Sequence, residues 1–266
     1  MPPRDPGPPR GILSTKAPPG AHEHARISPT SDALAAFVAH FWWVRWDMRG
    51  QPPFIAETLP HPTVHLTFEG PHGEVVGVPT GAFRRELSGE GRVFGVKFRP
   101  AAFHPWLGTS VTAITDRRLD LSSVFGSDAA PLAMAIAACS SAPACANVAE
   151  EFLLARLPQM PKETARVRDL VERMQTDATL TRVESAAALV EMDVRTLQRR
   201  FRQLVGVSPK WTIQRYRLHE AAAQLAQPNP PTLAALAADL GYFDQAHFAR
   251  DFRAVVGFAP STYLAR

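Results

Sequence analysis

Between about residues 30 and 100, apolar and polar positions alternate in short runs separated by Gly and Pro: FIAETL, TVHLTF, EVVGVPT, AFRREL and RVFGVKF. A period of two sends successive side chains to opposite faces, so these runs predict strands joined by turns. In TVHLTF, Val64, Leu66 and Phe68 share one face while Thr63, His65 and Thr67 share the other, the pattern of a strand with a single core face. SDALAAFVAHFWW reads differently. Ser31 or Asp32 can cap a helix, and Phe37, Phe41 and Trp42 recur at i, i+4 and i+5, which predicts an opening helix packed on the sheet. After Pro100 the strands are expected to stop. AAFHPWLG, LDLSSVFG and an Ala-rich stretch from about 128 to 157 predict a helical connector, which Pro158 and Pro161 break. From Lys162 the periodicity is helical throughout, in seven segments divided by turn signals.

The Pro-rich opening lacks large apolar residues and any period, so residues 1–25 read as a disordered tail. Residues 26–160 then form a β-rich sensing or dimerising domain with its helical connector, and residues 161–266 an all-α domain, an α+β chain in all. A length of 266 residues suits two domains, and 45% hydrophobic residues with 20% charged suit a globular protein. No apolar run reaches about 18 residues and the N-terminus has no signal-like core, so a cytoplasmic protein without a membrane partner is expected. Cys139 and Cys145 are too few and too poorly spaced for a zinc framework; they read as small buried hydrophobes in a reducing compartment. Residues 1–161 hold 14 basic and 14 acidic side chains, and residues 162–266 hold 15 basic and 11 acidic. The whole net charge of +4 therefore lies in the C-terminal part, where a polyanion would bind.

That part nearly repeats itself. DVRTLQRRFRQLVGVSP, from Asp193, returns 51 residues later as DQAHFARDFRAVVGFAP, with seven of seventeen positions identical. An Ala-rich helix precedes each copy, with Ala186, Ala187 and Leu189 matched to Ala237, Ala238 and Leu240. Small residues allow the close crossing that a helix-turn-helix requires. Leu197 and Phe201, like Phe248 and Phe252, lie at i and i+4 and must face inward. Arg195, Gln198, Arg199 and Arg202 are then left outward on the first helix, and Gln245, Ala246, His247, Ala249, Arg250 and Arg253 on the second. Arg reads guanine and Gln reads adenine bidentately in the major groove. A single cationic helix face is more often a solvated surface. Two copies joined by a helix from about 208 to 227, ~30 Å long, instead match successive major-groove turns roughly 34 Å apart. Asp193 and Asp244 are the expected N-caps.

LQRRFRQLVGVSP, QRYRLHEAA and LAADLGYFDQAHFARDFRAVVGFAPSTY together closely resemble the DNA-binding domain of the AraC/XylS family of bacterial transcription regulators, which carries two helix-turn-helix units joined by a helix. The resemblance implies double-stranded operator DNA as partner, with RNA polymerase, a small-molecule effector and a second copy of the chain as further partners, and no cofactor, metal or catalytic residue. It places Arg195, Gln198, Arg199, Gln245, Ala246, His247 and Arg250 at groove-facing positions and gives Arg217 a structural role. In the first turn, VEMD, Glu191 stands where the family usually has Gly; a left-handed backbone there would cost a residue with a Cβ roughly 1 kcal/mol.

The segment from about 36 to 126 resembles the β-rich N-terminal domain of a poorly characterised subgroup of these regulators, most strongly at GVKFRPAAFHPWLG, where Ala101 replaces a common Gly. A cupin- or barrel-like fold is the expectation. Three features there could carry chemistry. His61 and His65, with His40, His72 or His104, could ligate a metal, although His61 and His65 would lie ~13 Å apart if extended. Trp42, Trp43, Trp46, Phe54 and Trp106 could line an apolar pocket or simply fill the core. Arg84, Arg85, Lys97 and Arg99 could hold an acidic effector or lie on solvated strand faces. The rival to a regulator is a metal-dependent cupin-like enzyme with an appended DNA-binding domain, which needs three or four convergent His/Glu ligands. An alkyl-transfer repair protein would need a reactive cysteine in an electropositive setting, which neither cysteine has nearby in sequence.

Overall fold

The computed structural model describes residues 11, 13 and 22–264. In chain order these form β1 (His22–Ile27), α1 (Asp32–Ala35), β2 (Val38–Asp47), β3 (Phe54–Thr58), β4 (His65–Glu69), β5 (His72–Val76), β6 (Phe83–Leu87), β7 (Glu90–Phe98), α2 (His104–Leu107), a 3-10 turn (Val111–Ile114), β8 (Arg118–Asp120) and α3 (Ser122–Phe125). A second 3-10 turn (Gly126–Asp128) leads into α4 (Ala129–Ala138) and α5 (Ala142–Leu154). The helical remainder is α6 (Lys162–Thr176), α7 (Val183–Leu189), α8 (Val194–Leu204), α9 (Pro209–Leu225), α10 (Leu233–Asp239), α11 (Gln245–Val256) and α12 (Pro260–Leu264).

The expected α+β division into a β-rich first part and a helical second part is present, but the sheet is not a barrel. Six strands pair in the order β1-β2-β7-β4-β5-β8, and β3 and β6 make a separate two-stranded sheet. The first and last strands of that order do not pair with each other, so the sheet is open and the cupin-like expectation is corrected. Both edge strands lie where no strand was expected: β1 begins inside the supposed tail, and β8 follows Pro100.

The opening helix is also corrected. It lasts only from Asp32 to Ala35, capped by Ser31, and β2 takes over from Val38. VAHFWWVRW is dense in aromatic and β-branched residues, which suit a pleated surface. Alternation there puts Phe41 and Trp43 into the main core and turns His40 and Trp42 to the opposite face. Ala101 has a left-handed backbone, φ 64°, which accounts for glycine being common there.

Most of the expected tail lies outside the described residues. Two of its members do not behave as one: Leu59 N–H donates to Gly11 O at 2.7 Å, Leu13 N–H to Glu57 O at 2.9 Å, and the Leu13 side chain is buried against Leu59, Leu218 and Ala221.

One apolar core runs without a break from the sheet (Phe41, Val96) through α4 and α6 (Leu132, Val167) to Leu197 and Phe201 of α8. A second, smaller one holds α10, α11 and the far half of α9, with Leu236, Phe248 and Phe252 at its centre. No helix among the described residues is long and apolar enough to cross a membrane.

Candidate nucleic-acid interface

The two helix pairs α7–α8 and α10–α11 are built alike. Asp193 and Asp244 cap the second member of each pair, their carboxylates accepting from Thr196 N at 2.8 Å and His247 N at 2.6 Å. These bonds hold the Asp193 carboxyl below its ordinary range. Leu197 and Phe201 in one helix, and Phe248 and Phe252 in the other, are fully buried. Burying a side chain of this size stabilises by about 1.5–3 kcal/mol, enough to fix which face turns outward. Arg195, Gln198, Arg199 and Arg202 are exposed on α8; Gln245, Ala246, His247, Arg250 and Arg253 are exposed on α11, and Ala249 is half-buried.

The repeat differs from its sequence reading in one place. Residues 181–190 and 231–240 show the same succession of buried and exposed positions, so the first helices correspond at an offset of 50, not 51. Ala187, not Ala186, matches Ala237: Met192 N–H donates to Ala187 O at 3.1 Å and Tyr242 N–H to Ala237 O at 2.9 Å, the same helix-ending bond. Val190 rather than Leu189 is the buried partner of Leu240. The second turn therefore contains one extra residue, Phe243, and that ring is 95% exposed beside the α11 N-terminus. Counting residues between the Ala-rich run and the Asp cap would have revealed it. Glu191 and Gly241 occupy the equivalent left-handed position, φ 50° and 70°.

The linker helix α9 is 17 residues long, ~25 Å rather than ~30 Å. Arg217 on it donates to Thr181 O at 2.7 Å and lies over the Tyr242 ring, so it ties the loop before α7 to the turn of the second pair. This is the structural role expected of it. Arg215 gives no sequence signal, yet it is 2% exposed, stacks on Trp211 and donates to Thr80 O in the N-terminal part. Burial lowers its pKa to about 10, against the pull of Asp116.

The N-terminal part also holds the end of α8. Thr112 Oγ1 donates to Arg202 O at 2.6 Å, Ser110 Oγ to the same oxygen at 3.3 Å, and Thr115 Oγ1 to Gly206 O at 2.9 Å. These hydroxyls satisfy carbonyls that a helix C-terminus leaves without partners. Between this segment and the outward face of α8 opens a cleft of about 770 Å³, with His104, Gly108, Thr109 and Ser110 on one wall and Arg195, Gln198, Arg199 and Arg202 on the other.

The other candidates separate. His61 lies against Tyr216 and His219 of α9, His40 against Arg26, His65 against Trp42, and His104 in the cleft; among the described residues no three His, Cys, Asp or Glu side chains converge as a metal site would require. The tryptophans fill three different places: Trp43 the main core, Trp46 a small cluster under β3 and β6 with Trp42 and Phe54 against it, and Trp106 a group with Phe37, Phe98 and Phe103. Arg84, Arg85 and Arg99 are ion-paired with Glu57, Glu69 and Glu172. Burial, chiefly, pushes the Cys145 thiol up to about 12, the opposite of a reactive cysteine.

Comparison with known proteins agrees with this architecture. Residues 186–266 match the family described as "Helix-turn-helix domain", and residues 25–120 match one described as "Domain of unknown function". A curated protein of Haemophilus influenzae, an uncharacterized HTH-type transcriptional regulator, is 31% identical over 117 residues. The match takes in 44% of this chain and 38% of that protein's length. A solved structure of a probable AraC family transcriptional regulator from Rhodopseudomonas palustris is 31% identical, covering 38% of this chain and 95% of that one at a TM-score of 0.34. Residues 186–266 form a helix-turn-helix domain, and the chain is similar to AraC/XylS-type transcriptional regulators. Its N-terminal domain is of unknown function. The Vibrio cholerae protein ToxT is similar over 92% of this chain and 98% of that one, at 11% identity and a TM-score of 0.40.

Proposed function

We propose that this AraC-type protein binds duplex DNA sequence-specifically through two unequal reading helices and regulates transcription, with residues 26–160 as a sensing or dimerising domain and residues 161–266 as the DNA-binding domain. The observation that carries this reading is the pair of helices with one buried pattern and one outward cationic face, joined by a single helix. Arg195, Gln198, Arg199 and Arg202 are the base and phosphate contacts of the first helix; Gln245, Ala246, His247, Arg250 and Arg253 are those of the second. The exposed Phe243 at the start of α11 adds an apolar contact to sugar or base.

Control runs through the contacts between the two parts. A change in the N-terminal domain shifts Thr112, Thr115 and the Arg215–Thr80 bond, and so turns α8 relative to the operator. A small-molecule effector, a second copy of the chain or RNA polymerase would act on that same joint, in a cytoplasmic protein. A gel shift on the protein's own upstream region tests the reading. Binding that survives excess nonspecific competitor at moderate salt supports it; binding that competitor removes entirely contradicts it.

A further inference from the structure

One side of the outward face of α8 does not look onto open solvent. It borders the cleft whose other wall, His104, Gly108, Thr109 and Ser110, belongs to the N-terminal part. The two walls are tied together: Ser110 and Thr112 donate to Arg202 O and Thr115 to Gly206 O, so the N-terminal wall is anchored to the end of the reading helix. From Arg195 to Arg202 the helical wall runs ~10 Å, and Arg195, Gln198, Arg199 and Arg202 all stay exposed beside its neighbour.

No carboxylate lines this cleft. The N-terminal segment that forms its wall carries none from residue 99 to residue 115. The cations of α8 divide accordingly: Arg200, on the other side of the helix, is paired with Glu163 of α6, whereas Arg195, Arg199 and Arg202 make no ion pair or side-chain hydrogen bond among the described residues. Thr109 is exposed, and neither its N–H nor its hydroxyl has a hydrogen-bond partner among them. Gly108 before it has a left-handed backbone, φ 68°, with nothing within 4 Å of where a Cβ would stand, so the wall is low at that point. Guanidinium groups thus face small neutral donors across a gap. Phosphate oxygens accept from these same groups, Arg side chains, Thr and Ser hydroxyls and backbone N–H.

We propose that the cleft seats a sugar–phosphate strand of the duplex, with Arg199 and Arg202 on one side of the strand and Thr109 of the N-terminal part on the other. The inference rests on the DNA-binding reading and adds to it a contact outside the helical part. A strand suits the cleft better than a small free anion does. A small ligand there would cover the side chains that read bases, whereas the strand bordering a major groove lies beside the helix inserted in it. The space, about 770 Å³, is also of a size that takes in a whole organic ligand rather than a lone ion. Thr109 lies within the stretch matched to the domain of unknown function, which on this reading helps to hold the operator as well as to control its reading.

The test measures the affinity of the full chain for a labelled duplex from its own upstream region and for an unrelated duplex of equal length, by fluorescence anisotropy across a salt series. Thr109→Lys should tighten both roughly three- to fivefold and steepen the slope of log Kobs against log[salt] by about 0.9, one further phosphate being neutralised; Thr109→Glu should weaken both by a similar factor. Thr109→Gln, which adds size without charge, should bind like the parent. The same two charges at Ser88, exposed and at the other end of β7 from the cleft, should change affinity less than about twofold. Equal Tm values across the Thr109 set check that the fold is unchanged. Losses with lysine, glutamine and glutamate alike would mean that the wall shields the helix instead of seating DNA, and no effect of either charge would mean that DNA does not reach it; both overturn the proposal. Sequence-specific binding by the parent with no charge effect at Thr109 rejects the seat and leaves the regulator. Equal binding to the two duplexes with the charge effect intact keeps the seat and rejects sequence-specific reading, and a parent that binds neither duplex overturns both.

Discussion

Gly206 and Gly257 end the two reading helices with the same left-handed backbone, φ 93° and 90°, yet the first is buried and the second exposed. A methyl group at Gly206 would lie 2.8 Å from Thr115 Oγ1 and 3.0 Å from Val111 Cγ1; at Gly257 it would meet nothing within 4 Å. The same sequence feature thus serves two surroundings. The first unit is built into the N-terminal part, sharing its core and lending it carbonyls to bond. The second hangs from α9 with an apolar core largely its own. The described contacts of the N-terminal part thus reach the end of α8 directly, whereas those with the second unit's core, from Leu13 and Leu59, meet it at Leu218 and Ala221 of α9.

The largest effects should come from the two buried rings. Phe201→Ala and Phe252→Ala each remove a fully buried side chain and should cost about 3–5 kcal/mol. Calorimetry should show the first lowering the main transition and the second producing an earlier, separate one; identical thermograms would mean that the two cores unfold as a unit. Next come the glycines. Gly257→Ala should cost about 1 kcal/mol for the left-handed backbone, and Gly206→Ala that amount plus about 1–3 kcal/mol for crowding Thr115 and Val111. Equal losses in urea titrations would show that the joint at Gly206 is loose. The smallest effect is a gain: Glu191→Gly should stabilise by about 0.5–1 kcal/mol in the same assay, since Gly241 already shows what that position prefers and the exposed pair with Arg166 at 3.4 Å contributes little.

Much of this was legible from residue order. Each buried position of α8 and α11 named above follows from i, i+4 spacing, and both aspartate caps fall where a short acceptor precedes an apolar run. The failures share a cause: local pattern is silent about what lies across a gap in sequence. The sheet looked closable because its two edge strands, β1 in a Pro-rich opening and β8 only three residues long, left little periodic signal. FVAHFWW read as a helix because aromatic spacing fits both periods at that length, and only pairing with β7 decides between them. The hydroxyls of Ser110, Thr112 and Thr115 carry no motif, since what they bond is backbone about 90 residues away.

On the proposed function, the first unit is the richer reader as well as the better held. Arg195, Gln198 and Arg199 face outward there, against Ala246, Ala249 and Arg250 at the matching places of the second. Specific and nonspecific affinities of Arg199→Ala and Arg250→Ala, measured side by side on one operator fragment at one salt concentration, test it most directly. The first should lose about 1–3 kcal/mol of discrimination and the second distinctly less. Equal losses, or a greater loss at Arg250, would contradict it.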